Sequence, residues 1–89
     1  MREDEIAKMM REVQGWTRAG DSIERTWRFK TFMEAVAFMN QVFALANDAD
    51  HHPDLKNIRT TVTIRLSTHD ADGLTKKDFE MAARVNKMV

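Results

Sequence analysis

Apolar and polar positions recur with two different periods along this chain, and the switches between them mark its elements. Ile6, Met9, Met10 and Val13 stand at i, i+3, i+4 and i+7, one stripe of a short amphipathic helix over residues 2–13. From Ile23 the period becomes two. Ile23, Arg25, Trp27 and Phe29 fall on one side, and Glu24, Thr26, Arg28 and Lys30 on the other. Gly20-Asp21 supplies a turn back to the Gly15-Trp16-Thr17-Arg18 segment, so a β-hairpin is predicted. Arg25 interrupts the apolar row and is expected near a rim.

The helical period returns at Thr31-Phe32-Met33-Glu34, a capping box in which the threonine oxygen and the glutamate carboxylate each satisfy a free backbone amide. A long helix is predicted to about Asn47. Phe32, Val36, Met39, Phe43 and Ala46 form its stripe, widened by Ala35, Phe38, Val42 and Leu45. Pro53 disfavours helical geometry at His52, so this helix ends before it. A short strand over Leu55–Ile58 follows. Then Thr61–Ser67 alternates, with Val62, Ile64 and Leu66 facing one way. Leu74 to Phe79 opens a last helix, with Thr75 as cap, Asp78 as the acid three residues on, and Leu74 and Phe79 as a staple. The order α-β-β-α-β-β-α predicts an α+β fold: a four-stranded antiparallel sheet with helices packed on one face. One domain over residues 1–89 is expected.

Composition narrows the function classes. Lys plus Arg and Asp plus Glu both number 14, interleaved, so no nucleic-acid footprint is expected. No apolar run approaches the ~20 residues that span a bilayer, and the acidic N-terminus lacks a signal-peptide pattern. With no cysteine, disulfides and thiolate metal sites drop out, and a cytoplasmic location is expected. The seven methionines lie mostly in the helical segments, and they and the two tryptophans read as core or interface filler.

All three histidines fall in two short segments, Asp50-His51-His52-Pro53 and Ser67-Thr68-His69-Asp70. Each stands at the end of a predicted element with an aspartate close by. Imidazole exchanges protons near neutral pH, so three of them at converging ends predict an acid–base site in a shared pocket. Polar loops with solvated histidines are the competing reading. A three-histidine metal site competes too, but adjacent His51 and His52 do not readily aim at one ion, and no Cys or Glu completes a spacing. Asp70-Ala71-Asp72-Gly73 begins like a calcium loop, but Leu74 stands where a third oxygen ligand is required.

These residues resemble the pterin-4a-carbinolamine dehydratase family. The resemblance rests on Asp50-His51-His52-Pro53, Ser67-Thr68-His69-Asp70 and Gly73-Leu74-Thr75, with Asp78 in register. Gly15-Trp16, Trp27-Arg28-Phe29-Lys30 and the Phe32–Asn40 helix extend it over nearly the whole chain. The chain departs from the family pattern at Asn47, where an acid is usual, and at Leu55 and Arg59, where aromatics are usual.

The resemblance implies dehydration of a 4a-hydroxytetrahydropterin to the quinonoid dihydropterin, in the recycling of tetrahydropterin. His51 and His69 are then the acid–base pair, and His52 orients the substrate. Asp50, Pro53, Ser67, Thr68 and Asp70 are candidate substrate contacts. The chemistry needs no metal and no cofactor. The alternative is a protein-binding, coactivator-like module of the same fold. The broad apolar face of the long helix and the exposed strand edges predict a homodimer or higher homo-oligomer, with no membrane and no nucleic acid among the partners.

Overall fold

The computed structural model describes residues 1–89. Its elements run α1 (Glu3–Met10), β1 (Thr17–Ala19), β2 (Ser22–Arg28), α2 (Phe32–Ala49), β3 (Asp54–Ile58), β4 (Thr61–Leu66), a 3₁₀ turn (His69–Ala71) and α3 (Lys76–Asn86). The four strands form one antiparallel sheet in the order β1-β2-β4-β3. The predicted α+β fold and element order are both present, and the 3₁₀ turn is an addition.

The strand alternation sorts the two sheet faces. Ile23 and Trp27 of β2 and Val62, Ile64 and Leu66 of β4 are buried. They share one core with Phe38, Val42 and Leu45 of α2 and Phe79, Ala82 and Val85 of α3. Each of the Val, Leu, Ile and Phe side chains among them contributes about 1.5–3 kcal/mol through burial. Trp27 centres an aromatic group, edge-on to Trp16 at 5.6 Å and tilted against Phe38 at 4.8 Å. The opposite face stays polar: Thr26 and Thr63 share a 2.7 Å hydrogen bond, and Arg65 pairs with Glu24 at 3.1 Å.

The break in the β2 apolar row has a structural role. Arg25 donates to the Gln14 carbonyl and to Asn86 Oδ1, both at 2.8 Å, and its guanidinium lies 4.9 Å over the Trp27 ring. Trp16 Nε1 donates to the same Asn86 oxygen at 2.8 Å. The turn after α1, the second strand and the end of α3 are thereby tied together. Gly15 sits at φ +83° beneath this knot, where a β-carbon would meet the guanidinium at 2.6 Å.

Both capping boxes form as predicted. In α2, Glu34 N donates to Thr31 Oγ1 and Thr31 N to Glu34 Oε1, each at 3.1 Å. The face of α2 differs from the predicted stripe. Ala35, Phe38, Val42, Leu45 and Ala46 are buried, whereas Phe32 and Phe43 are 52% and 51% exposed. Of the predicted stripe only Ala46 is buried, with Met39 partly buried against the core, while the widening residues Ala35, Phe38, Val42 and Leu45 all face it.

Candidate functional site

The site is assembled by two helix ends and one strand end. At the close of α2, Asp50 adopts the left-handed conformation at φ +49°, and the His51 amide donates back to the Ala46 carbonyl at 3.1 Å. The helix therefore stops at one defined residue, and the chain leaves it extended toward Pro53 and β3. At the start of α3, Thr75 caps the helix and Asp78 Oδ2 accepts from the Thr75 amide at 3.0 Å.

Asp78 has no exposed surface, and its second oxygen reaches across the fold to His51, with Nε2 to Oδ1 at 2.7 Å. Thr68 Oγ1 donates to Asp78 Oδ2 at 2.9 Å and lies 2.6 Å from Thr75 Oγ1. Three donors thus converge on one buried carboxylate, which offsets the cost of its desolvation. A carboxylate accepts and does not donate, so the proton of the His51 bond sits on Nε2. The neutral ring then keeps its lone pair at Nδ1.

The three histidines occupy distinct surroundings. The His51 side chain is 11% exposed and lines a cleft of about 230 Å³ with Leu45, Ala49, Lys77 and Met81. The His52 side chain is 72% exposed, with Nε2 3.9 Å from Asp50 Oδ1. It borders a cleft of about 290 Å³ with Phe43, Asn47 and Pro53. His69 is exposed at the start of the 3₁₀ turn and lines a polar cavity of about 600 Å³ with Asp54, Arg65, Ser67, Thr68 and Asp72. Each of these three clefts is lined by one histidine. Neighbouring side chains of extended chain point to opposite sides, which separates His51 from His52. His69 follows the outward face of β4, on which Ser67 is exposed.

What the structure does join is the two segments that carry the histidines, through the path His51–Asp78–Thr68. Of the predicted contact residues, Ser67 and Thr68 line the His69 cavity and Pro53 the His52 cleft. Asp50 and Asp70 are exposed and border none of these three cavities. The sequence marks Asp78 as the N3 acid of α3 and as in register with the family motif, and neither spacing signals a bond to residue 51. No three His, Asp or Glu side chains gather closely enough to share one metal ion. No helix is long and apolar enough to cross a membrane.

Fold and site together define an α+β protein with imidazoles at the ends of its elements, one of them braced by a buried carboxylate. The chain belongs to the pterin 4 alpha carbinolamine dehydratase family, whose profile matches residues 1–88. A Sulfolobus acidocaldarius relative named "Putative pterin-4-alpha-carbinolamine dehydratase" is 40% identical over 86 residues, covering 97% of this chain and 94% of its own. A Rhizobium meliloti relative of the same name is 46% identical over 84 residues, covering 92% and 81%. A Brucella melitensis crystal structure titled transcriptional coactivator/pterin dehydratase superposes with TM-score 0.96 at 33% identity, covering 99% of this chain and 96% of that one. A pterin dehydratase-like RuBisCO assembly factor of the alpha-carboxysome shares the fold, with TM-score 0.69 at 20% identity over 82% and 84%.

Proposed function

We propose that this protein dehydrates a pterin-4a-carbinolamine, a 4a-hydroxytetrahydropterin, to the quinonoid dihydropterin by histidine acid–base catalysis. In this reaction the ring nitrogen lone pair expels the 4a oxygen as water. One group protonates the departing hydroxyl and another removes the proton on N5. His51 and His69 fill these roles, and His52 orients the substrate. Asp50, Pro53, Ser67 and Asp70 form the surrounding contacts. The sequence of proton transfers calls for no metal or cofactor, and the setting is tetrahydropterin recycling in the cytoplasm.

The observation that carries this reading is the bond from His51 to a wholly buried carboxylate that also binds the His69 segment. Histidines of plain surface loops have no such anchor. Stopped-flow turnover of a synthetic carbinolamine tests the proposal. His51→Ala and His69→Ala each lower kcat by about 10²–10⁴-fold, while His52→Ala acts mainly on KM. Rates near wild type in both of the first two variants would rule the mechanism out.

The exposed apolar side chains Phe32, Met33 and Phe43 on α2, with Phe32 and Phe43 on one line of the helix, favour a second property, self-association into a homodimer or larger homo-oligomer. The same side chains are the observation behind the alternative, a protein-binding, coactivator-like module. Absent turnover in the wild-type protein selects the module. Sedimentation tests the oligomer, and a lone species of about the 10.3 kDa chain mass at micromolar concentration argues against it.

A further inference from the structure

Thr68 stands between Ser67 and His69, where a contact to substrate is the obvious role. Its polar groups are already engaged within the fold. The Thr68 amide donates to the Gly73 carbonyl at 2.9 Å. Its carbonyl accepts from the amides of Ala71 at 3.1 Å and Gly73 at 3.4 Å. A hydroxyl has one proton to give, and here it goes to Asp78 Oδ2 at 2.9 Å. The 2.6 Å contact with Thr75 Oγ1 is then a bond that Thr75 donates. The chain of donors runs in one direction, from Thr75 through Thr68 to Asp78, and it ends on the carboxylate that holds His51 Nε2.

We propose that Thr68 is a positioning residue rather than a substrate contact: its hydroxyl, acting through Asp78, holds the tautomer and orientation of His51, while its backbone holds the turn that carries His69. One residue thereby sets the two proposed proton-transfer groups relative to each other. Its catalytic consequence rests on the dehydratase reading, but its structural content does not.

Thr68→Val keeps the shape and removes the donor, so Asp78 loses one partner and His51 its fixed acceptor. Thr68→Ser keeps the hydroxyl. In protein with ¹⁵N-labelled histidine, wild-type His51 shows a protonated Nε2 and an unprotonated Nδ1 when neutral. Thr68→Val shifts these resonances toward a mixture of tautomers, and Thr68→Ser leaves them in place. Stopped-flow kinetics show kcat about 10- to 100-fold lower in Thr68→Val, KM within about twofold, and recovery in Thr68→Ser. Unchanged His51 resonances in Thr68→Val, or a raised KM at unchanged kcat, overturns the proposal. If the wild-type protein has no turnover, the dehydratase reading fails and the resonances alone decide the role of Thr68. If Thr68→Val does not fold, the wild-type hydroxyl proton decides. Slow exchange supports the internal bond, and fast exchange with water overturns it.

Discussion

His51 and Asp78, separated by 27 positions in sequence, meet through a 2.7 Å hydrogen bond between the end of α2 and the first turn of α3. The bond makes one carboxylate serve as helix cap and as imidazole anchor. Asp78→Asn separates those duties. The amide oxygen still caps α3, but the amide nitrogen facing His51 donates, which drives the neutral ring to carry its proton on Nδ1. Activity is expected to fall by about 10²–10⁴-fold, with a stability loss of about 1–3 kcal/mol. Carbinolamine turnover and urea melts of the same preparation check both.

His51→Ala and His69→Ala differ in what they do to the fold. Sequence position alone suggests little loss of stability in either. Truncating half-buried His51 leaves Asp78 Oδ1 without its partner in a dry environment, a cost of about 1–3 kcal/mol. His69 is exposed, and its truncation is expected to stay within about 0.5 kcal/mol of wild type. Chemical denaturation of both variants measures the contrast, and equal midpoints would contradict it.

Gly15→Ala is expected to cost about 1–3 kcal/mol. The position has φ +83°, and a new β-carbon lands 2.6 Å from an Arg25 guanidinium that two hydrogen bonds and the Trp27 face hold in place. Near-UV circular dichroism of the tryptophans and a thermal melt report the damage. An unchanged melt would mean that the knot around Asn86 carries no stability.

Acid is expected to loosen α1. Arg18 makes a two-pronged bond to the Glu3 carboxylate at 2.6 and 2.9 Å, and this holds the Glu3 carboxyl below its ordinary value of 4.5. A depressed carboxyl contributes stability above the ordinary value and loses it as pH falls through the lower folded value. The pair is exposed, so the effect is small and weakens with salt. Amide protection factors of α1, that is, exchange rates divided into the intrinsic rate at each pH, should fall in wild type between pH 6 and about pH 3. In Glu3→Gln they should be low throughout.

Local rules made much of the fold legible. Thr31 and Glu34, and Thr75 and Asp78, are three apart before apolar runs, and a capping box needs nothing more. The β2 and β4 alternation needs only the pleat. The buried face of α2 was not legible, because the Phe32, Val36, Met39, Phe43, Ala46 set and the Ala35, Phe38, Val42, Leu45 set both satisfy the helical period. Only the sheet that covers one of them decides. The histidine segments stood out by composition, whereas the partner of His51 did not. A bond spanning two elements leaves no trace in the spacing of either, and Asp78 already had a local reason to be acidic. Arg59 was legible only as a departure from the family pattern; it takes the left-handed φ of +53° between β3 and β4.

The paired histidines at 51 and 52 look redundant when written as a string. Folded, one ring is clamped inward and its neighbour is open to solvent. The doubling therefore spells an order rather than a dose. Inserting one residue between Asp50 and His51 would put the newcomer where His51 now meets Asp78 and turn the His51 ring to the opposite side. The length of this short connection thus carries as much of the site's information as the imidazoles do.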